Sequence, residues 1–377
     1  MINKFNNDIE YLRAISIILV LIAHYNFMFP FLLEAFPLAI KTASYGVGVD
    51  LFFCISGYVV SKAYTDYFDK YNSENKFWLS AFSFWLRRCY RLLPSAWLWV
   101  FIGLVLSVCL NSTGIFETPI QNVKSAISIM FFSANISHMY DFLKPNNIYW
   151  SLSLEEQFYF LFPFFLAFIV KAKYRVLFLL IIIAIQFPLS RNAFGEIHEQ
   201  YFSSFRTDGF AWGILIYIFS KTEIYKKINP LNMPHSKLLL SILLTILLIL
   251  LTQSPLYFDR YGMGIVAMIS ATLVWLASYN SGNINIFFAK KQMVWLGKHS
   301  YAIYLIHFVI IRLTFELATI FHIKTQLPLT HLKYLYVILS ILLIIYLAGI
   351  NYKYIENPLR LKGKIKAEIL LLSNSKK

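Results

Sequence analysis

The amino-acid sequence predicts an all-α integral membrane protein, a bundle of about ten transmembrane helices with both termini in the cytoplasm. Three observations support this prediction. Hydrophobic residues make up 58% of the 377 residues and charged residues only 14%, with a mean hydropathy of +0.60, which is far more apolar than a soluble domain. Apolar runs approaching the roughly 20 residues that cross a bilayer recur from end to end. Finally, Lys and Arg are concentrated in alternate connections between these runs.

Each predicted span is an apolar run bounded by polar residues. The first run is too long for the hydrophobic part of a signal peptide and has no small-residue cleavage site, so we expect it to be retained. Several runs are short, and flanking polar or aromatic residues are expected to extend them to the membrane interface. The ten spans are Tyr11 to Phe29, Ser44 to Tyr64, Leu92 to Leu110, Phe158 to Val170, Val176 to Leu189, Gly209 to Phe219, Leu238 to Leu251, Met263 to Tyr279, Tyr301 to Ala318, and Leu335 to Ile350.

The distribution of positive charge sets the predicted orientation. With the N-terminus inside, the cytoplasmic connections carry 25 Lys and Arg residues and the outer connections seven, in agreement with the positive-inside rule. An eleventh span at Val123 to Asn135 would invert every later connection and remove this bias. Since the net charge of +15 is spread over loops, orientation explains it better than nucleic-acid binding does. Residues 1–377 are therefore predicted to form one transmembrane domain, with 352–377 as a short basic cytoplasmic tail.

Two ionisable residues bracket the first span. Arg13 and His24 are eleven residues apart, about three helical turns, so they lie on one helix face about 16 Å apart along the axis. An arginine at a helix end can simply extend to the interface. A histidine at membrane depth is costly and indicates function by default, the alternative being a role in helix packing. The pair therefore suggests the lining of a conduit.

The second span adds a carboxylate in the stretch "YGVGVDLFFCISGY". Asp50 is expected at about the depth of His24, where a hydrogen bond between the two would fix the imidazole tautomer. The glycines are expected to allow close approach of neighbouring helices; they are Gly46, Gly48 and Gly57. Ser56 is a further channel candidate or a packing hydroxyl.

A basic motif, "WLRRCYRLLPSAW", precedes the third span. Arg88 and Arg91 lie one turn apart on one helix face, and Pro94 is expected to end or kink that turn. Paired guanidinium groups suit bidentate binding of phosphate. The alternative is ordinary positive-inside charge. A phosphate-binding pair inside and a histidine outside would mark the two ends of one path.

Further polar residues lie near the ends of later spans. Glu155 and Glu156 are expected at the start of the fourth span, where favourable placement at the helix N-terminus is the alternative to a role in the site. Other acceptor or channel candidates are Arg206, beside Asp208, and Tyr301 and His307, which share a face with Tyr304. The cysteines Cys54, Cys89 and Cys109 have neither disulfide nor metal spacing, and no metal site is predicted.

Taken in order, these motifs resemble the acyltransferase family 3 group of membrane O-acyltransferases across the whole chain. Arg13 and His24 match an Arg, ten residues, then His signature. The elements that follow resemble G-V-D-x-F-F-x-x-S-G at Gly48 to Gly57, R-x-x-R-x-x-P at Arg88 to Pro94, W-S-L-x-x-E-x-x-F-Y at Trp150 to Tyr159, and L-G-x-x-S-Y-x-x-Y-L-x-H at Leu296 to His307. "YIENP" matches a closing Y-x-E-x-P element loosely. Singly these motifs have low specificity, but their order across ten spans is specific.

The resemblance implies transfer of an acyl group, usually acetyl, from cytoplasmic acetyl-CoA to a sugar hydroxyl. The expected acceptor is a polysaccharide or lipid-linked glycan of the cell envelope, such as O-antigen, capsule or exopolysaccharide, and the expected location is the bacterial inner membrane, in contact with its lipids. Some relatives carry a C-terminal hydrolase-like domain. A stand-alone enzyme is expected here, because the chain ends soon after the tenth span.

These expectations combine into one mechanism. Arg88 and Arg91 hold the phosphates of acetyl-CoA, Arg13 assists along the channel, and His24, oriented by Asp50, acts as general base or carries the acetyl group covalently. Glu155 positions the acceptor or orients His24. The alternatives are a secondary transporter, which also places His, Asp and Arg in the membrane, and a non-catalytic scaffold for envelope assembly. Against the transporter, the two halves show no repeat.

Overall fold

The computed structural model is all-helical over the residues it describes, which are 6–29, 43–140, 142–191, 206–230, 236–282, 284, 290–325 and 329–375. Fourteen α-helices lie in these ranges, with short 3₁₀ turns at Tyr45–Val47 and Asp259–Tyr261. The helices are α1 (Asn7–Met28), α2 (Gly48–Ser73), α3 (Phe77–Cys109), α4 (Pro119–Met130), α5 (Ala134–Met139), α6 (Tyr149–Phe168), α7 (Ala172–Gln186), α8 (Asp208–Phe219), α9 (Glu223–Lys227), α10 (Ser236–Tyr257), α11 (Gly262–Ser278), α12 (Lys290–Thr325), α13 (Leu329–Asn351) and α14 (Asn357–Ser375).

The predicted class, an all-α membrane protein, is confirmed. Within the described ranges, seven helical segments are long and apolar enough to cross a membrane. They are Asn7–Met28, Tyr45–Ser73, Phe77–Cys109, Leu238–Tyr257, Asp259–Ser278, Lys290–Thr325 and Tyr334–Ser373, while the apolar Asp208–Phe219 is shorter. Each of the ten predicted spans overlaps a helix, although the count of ten crossings and the cytoplasmic termini stay predictions.

Helix boundaries differ most where a helix continues beyond its apolar run. α3 begins at Phe77, well before the predicted start at Leu92. It also continues through Pro94, so of the two expectations for this proline, an end or a kink, the end is wrong. The described part of the predicted basic tail is helical as well. A π-helical turn at Tyr352–Glu356 connects α13 to α14, which ends at Ser375. Backbone hydrogen bonding does not require apolar side chains. Hydropathy therefore predicts which residues lie in the membrane better than it predicts where a helix begins or ends.

Backbone contacts divide the chain into two compact units. The first unit comprises Met1–Asn26, Pro30–Glu74 and Phe164–Ser300, and the second comprises Phe27–Phe29, Asn75–Pro163 and Tyr301–Lys377. The N-terminal Arg, His and Asp candidates lie in the first unit. The R-x-x-R pair, Glu155, Tyr301 and His307 lie in the second.

Glycine brings helix backbones into contact in the first unit. A Cβ atom on Gly57 of α2 would lie 2.3 Å from the carbonyl oxygen of Phe210, and one on Gly213 of α8 would lie 2.2 Å from that of Cys54. Gly48 similarly faces the Ser16 carbonyl at 2.5 Å. The predicted close approach is therefore confirmed for Gly48 and Gly57. It is wrong for Gly46, where a Cβ would meet nothing within 4 Å.

In the second unit, α6 carries Pro163 in its interior. Proline has no backbone N–H, so the carbonyl of Tyr159, four residues earlier, loses its helical donor. The Trp85 indole of α3 donates to this carbonyl at 3.2 Å. An indole thus replaces the missing helical hydrogen bond and ties α6 to α3.

Candidate functional site

The first helix positions Arg13 and His24 as the sequence predicts. α1 is one continuous helix from Asn7 to Met28, so the eleven-residue spacing places both side chains within about 20° of each other around the axis. Arg13 donates to Glu10 Oε1 at 2.9 Å, one turn earlier, and its side chain is 18% exposed. Arg13 is thus paired with a neighbour on its own helix and is largely covered.

The imidazole of His24 has a defined tautomer. Its Nδ1 lies 2.8 Å from the carbonyl oxygen of Val20, and a carbonyl can only accept, so Nδ1 carries the proton. In the neutral ring, Nε2 then carries the lone pair, as a general base or a nucleophile requires. His24 is partly buried. The hydrogen bond to Val20, one turn earlier on the same helix, therefore helps to orient this ring.

Asp50 has a different partner from the one predicted. Its Oδ2 accepts from Nη1 of Arg206 at 3.1 Å, and both side chains are 6% exposed. These contacts differ from the predicted pairing of Asp50 with His24, because Nδ1 of His24 donates to Val20 and Oδ2 of Asp50 accepts from Arg206. A full opposite charge compensates a buried carboxylate better than a neutral imidazole does. Ser56 lies further along the same helix and is half-buried.

Arg191 and Gln186 complete this site, and sequence reasoning missed both. Arg191 binds Asp208 through two hydrogen bonds of 2.7 and 2.8 Å and is 1% exposed. Its carbonyl oxygen accepts two bonds from Arg206, at 3.1 and 2.6 Å. Gln186 Oε1 accepts from Arg191 at 3.2 Å and from the backbone amides of Thr207 and Asp208. No motif marks Arg191, which by sequence is one more loop cation.

We call Asp50, Arg191, Arg206 and Asp208 the charge cluster. Its two carboxylates and two guanidinium groups carry equal and opposite formal charge, and all four side chains are buried. Paired and hydrogen-bonded charges are the form in which buried ionic groups are tolerated. The cluster joins the start of α2 to the end of α7 and the start of α8. It therefore fixes the Asp50 side chain in place.

Arg88 is the buried member of the R-x-x-R pair in the second unit. It is 7% exposed, and its guanidinium lies 4.4 Å from the ring centre of Tyr159 and 5.4 Å from that of Phe84. Glu156 of α6 is also buried, at 8% exposed. Arg91, one turn on, is more exposed. The pair thus combines a cation held by aromatic rings with a more accessible one, an arrangement suited to an anionic group.

The two glutamates do not cap a helix. α6 begins at Tyr149, six residues before Glu155, so the capping explanation is wrong for both. Tyr159 donates its hydroxyl hydrogen to Oε1 of Glu155, one turn away. Tyr159 therefore contacts Arg88 with its ring and Glu155 with its hydroxyl, and it links the basic pair to the carboxylates.

Tyr301, Tyr304 and His307 share one face of α12, as predicted, and their polar atoms bind backbone. Tyr301 donates to the carbonyl of Leu92 at 2.7 Å. Tyr304 donates to the carbonyl of Ile148 at 2.7 Å and is 2.6 Å from Ser151 Oγ. His307, fully buried, has Nδ1 2.6 Å from the Tyr304 carbonyl, which fixes its tautomer. These contacts tie α12 to α3 and to the start of α6.

Comparison with known proteins places these motifs in a family. A family model described as an acyltransferase domain matches residues 6–350. The chain is 27% identical to the O-acetyltransferase OatA of Staphylococcus aureus strain NCTC 8325 over 96% of this chain and 58% of the relative. It is 26% identical to the peptidoglycan O-acetyltransferase OatA of Listeria monocytogenes strain EGD-e, over 96% and 57%. It is also 26% identical to the putative peptidoglycan O-acetyltransferase YrhL of Bacillus subtilis strain 168, over 96% and 56%.

The chain thus spans between half and two thirds of the length of these relatives. No solved structure matches it significantly. Within the described ranges, no group of three or more His, Cys, Asp or Glu residues could hold a metal ion. The family model covers nearly all of the chain, including both units, and the protein belongs to this family of membrane acyltransferases.

Proposed function

We propose that this protein is a membrane O-acetyltransferase that moves an acetyl group from acetyl-CoA to a sugar hydroxyl of a cell-envelope polysaccharide. The observation that carries the proposal is the His24 imidazole, whose proton is held on Nδ1 by the Val20 carbonyl so that the lone pair resides on Nε2. Family membership supports the reaction class, and the two relatives named as a peptidoglycan and a putative peptidoglycan O-acetyltransferase support the class of acceptor.

The chemical step we propose balances without a metal or an oxidant. Nε2 of His24 accepts the proton of the acceptor hydroxyl while that oxygen attacks the thioester carbonyl. The carbon–sulfur bond then breaks, and the departing thiolate takes the proton from the imidazolium to give free CoA. The products are an O-acetyl ester and CoA. Covalent transfer through an acetyl-imidazole would place the same acetyl group on Nε2 first.

The proposal that acetyl-CoA is the acyl donor rests on the chemistry of Arg88 and Arg91, the R-x-x-R pair. CoA carries phosphate groups, and Arg is the side chain best suited to binding phosphate. Arg88 is held over the ring of Tyr159, whereas Arg91 is more exposed. We therefore assign to Arg91 the phosphate contact that forms and breaks as CoA binds and leaves. Arg13, paired with Glu10, is assigned a supporting role toward the donor.

The donor proposal is tested with purified protein in vesicles and acetyl-CoA as the variable substrate. Arg91→Gln is expected to raise the KM for acetyl-CoA about tenfold or more, because a charge-assisted contact is lost, with a smaller change in kcat. Lys353→Gln is the control, since that cation lies over the ring of Tyr354 on another helix. An unchanged KM for Arg91→Gln would contradict the assignment.

The acceptor is tested in cells. Mass spectrometry of envelope polysaccharides, with and without the gene, is expected to show an acetyl increment on one sugar that requires the gene. The Glu155→Gln variant is expected to reduce this increment, because Glu155 is assigned the positioning of the acceptor. Identical acetylation with and without the gene would overturn the proposed function, whereas flux of a small metabolite in liposomes would instead favour a transporter.

A further inference from the structure

The last described helix, α14, has two opposite faces that differ in what covers them. One face packs on α3, where Ala367 is fully buried and a Cβ on Gly363 would lie 2.5 Å from Tyr90 Cβ. Lys366 also donates to the Tyr90 hydroxyl at 2.6 Å. Contact with α3 therefore fixes the rotation of α14 about its axis.

The opposite face is an exposed apolar stripe. At 3.6 residues per turn, its members fall within about 80° of one another. Their exposed fractions are 51, 56, 58 and 66%, which is unusual for large aliphatic side chains unless a partner or lipid covers them. We call this set the α14 stripe: Leu361, Ile365, Ile369 and Leu372.

Basic side chains flank the α14 stripe on both sides. Around the helix, Lys362 lies on one edge, and Lys364 and Arg360 lie on the other. α14 carries four basic residues and one acidic residue, Glu368, and the three flanking cations are exposed. An apolar stripe with Lys and Arg along its borders is the pattern of a helix that lies in the membrane interface.

The helix against which α14 packs supports this location independently. α3 has 33 residues, about 50 Å at 1.5 Å per residue, so roughly 20 Å of it extends beyond a hydrocarbon core of about 30 Å. Its first turns expose Trp78 and Phe82, which are 58 and 55% accessible, and Trp85 stacks on Phe160. Tryptophan and other aromatic side chains concentrate at membrane interfaces.

We propose that α14 is an interfacial helix that binds a membrane surface rich in anionic phospholipids. The α14 stripe enters the acyl-chain boundary, and Arg360, Lys362 and Lys364 contact lipid phosphates. Charge complementarity selects the lipid class, because exposed cations beside a membrane attract anionic headgroups. The candidate span Tyr334–Ser373 includes both helices, but its apolar part is α13, and the direct connection through the π-helical turn therefore holds α14 close to the membrane.

The test compares two adjacent positions on α14 that differ only in face. In the background protein, the exposed Cys89 and Cys109 are replaced by Ser and the buried Cys54 is kept. A single cysteine for a nitroxide label is then introduced as Ile365→Cys or as Lys364→Cys. The full chain is placed in two kinds of vesicle, one of phosphatidylcholine with 30% phosphatidylglycerol and one of phosphatidylcholine alone. Accessibility to oxygen, which partitions into lipid, and to a water-soluble nickel complex is measured by electron paramagnetic resonance.

In anionic vesicles we expect the label at Ile365 to be several times more accessible to oxygen than to the nickel complex, and the label at Lys364 to show the reverse. The triple variant Arg360→Gln, Lys362→Gln, Lys364→Gln, labelled at Ile365, is expected to lose the difference between anionic and neutral vesicles. Equal accessibility of both labels to the nickel complex would overturn the proposal. So would an Ile365 signal that does not depend on phosphatidylglycerol, or dipolar broadening that shows a second protein copy on the α14 stripe.

Discussion

Breaking the buried pair between Asp50 and Arg206 is expected to destabilise the first unit strongly. The change Arg206→Gln removes the bond to Asp50 and weakens the two bonds to the Arg191 carbonyl. Both side chains of the pair are 6% exposed, so the carboxylate that remains is buried without its cation. Loss of one partner of such a pair costs about 3–5 kcal/mol.

The matching change Asp50→Asn is expected to cost a similar amount, because it leaves Arg206 without its carboxylate. The double variant should cost less than the sum by about 1–3 kcal/mol, the range of coupling energies for groups in direct contact. The change Lys221→Gln is the control. It breaks an ion pair to Asp66 whose side chains are 50 and 73% exposed, for which less than about 1 kcal/mol is expected.

The assay is the thermal unfolding midpoint of purified protein in one detergent. For a chain of this size, a loss of 3–5 kcal/mol corresponds to a decrease of about 4–6 °C in the unfolding midpoint. Each single variant should show this decrease, and Lys221→Gln should remain close to the wild type. Strictly additive effects of Asp50→Asn and Arg206→Gln would refute the reasoning, since they would mean that the pair contributes no interaction of its own.

Three further changes test other contacts by the same unfolding assay. Gly213→Ala should destabilise the protein by about 1–3 kcal/mol, because its Cβ would lie 2.2 Å from a carbonyl oxygen of α2. Gly46→Ala is the control and should leave the midpoint unchanged, because its Cβ would meet nothing within 4 Å. Equal effects of the two changes would contradict the close packing of α8 on α2. Glu316→Gln should cost about 1–3 kcal/mol, because this buried carboxylate accepts hydrogen bonds from backbone amides and hydroxyls of the segment that follows α3. A wild-type unfolding midpoint would show that these hydrogen bonds do not stabilise the protein. Trp85→Phe should cost about 1 kcal/mol by leaving the Tyr159 carbonyl without its indole donor; no change would show that this carbonyl is satisfied otherwise.

Periodic features of the sequence predicted the fold well. Apolar runs predicted the membrane class and ten helix positions, and fixed spacing on one helix predicted which residues share a face. The relation between Arg13 and His24, and between Tyr304 and His307, follows from 3.6 residues per turn alone. Gly48 and Gly57 were likewise identified as close contacts, because glycine between apolar residues in a membrane helix usually serves packing.

The partners of charged residues were not predictable from the sequence. Asp50 pairs with Arg206, 156 positions later, and Arg191 binds Asp208, 17 positions later; neither partner can be found from the repeat of one helix or strand. Asp50 and His24 were paired because both were expected at the same depth, but depth does not determine which groups meet. The α14 helix was missed for a related reason, since its basic residues dominate its average hydropathy although its apolar residues follow one stripe.

The most direct test of the proposed mechanism concerns the imidazole of His24. Acetyl transfer from radiolabelled acetyl-CoA to envelope glycan is measured with purified protein in vesicles, for the wild type, His24→Ala and His299→Ala. His299 is the matched control, because its Nδ1 also lies close to a carbonyl four residues earlier, at 2.7 Å. We expect His24→Ala to lose at least about 100-fold in rate, the contribution of a general base, and His299→Ala to remain active. A correctly folded His24→Ala protein that transfers acetyl at more than a tenth of the wild-type rate would contradict the mechanism.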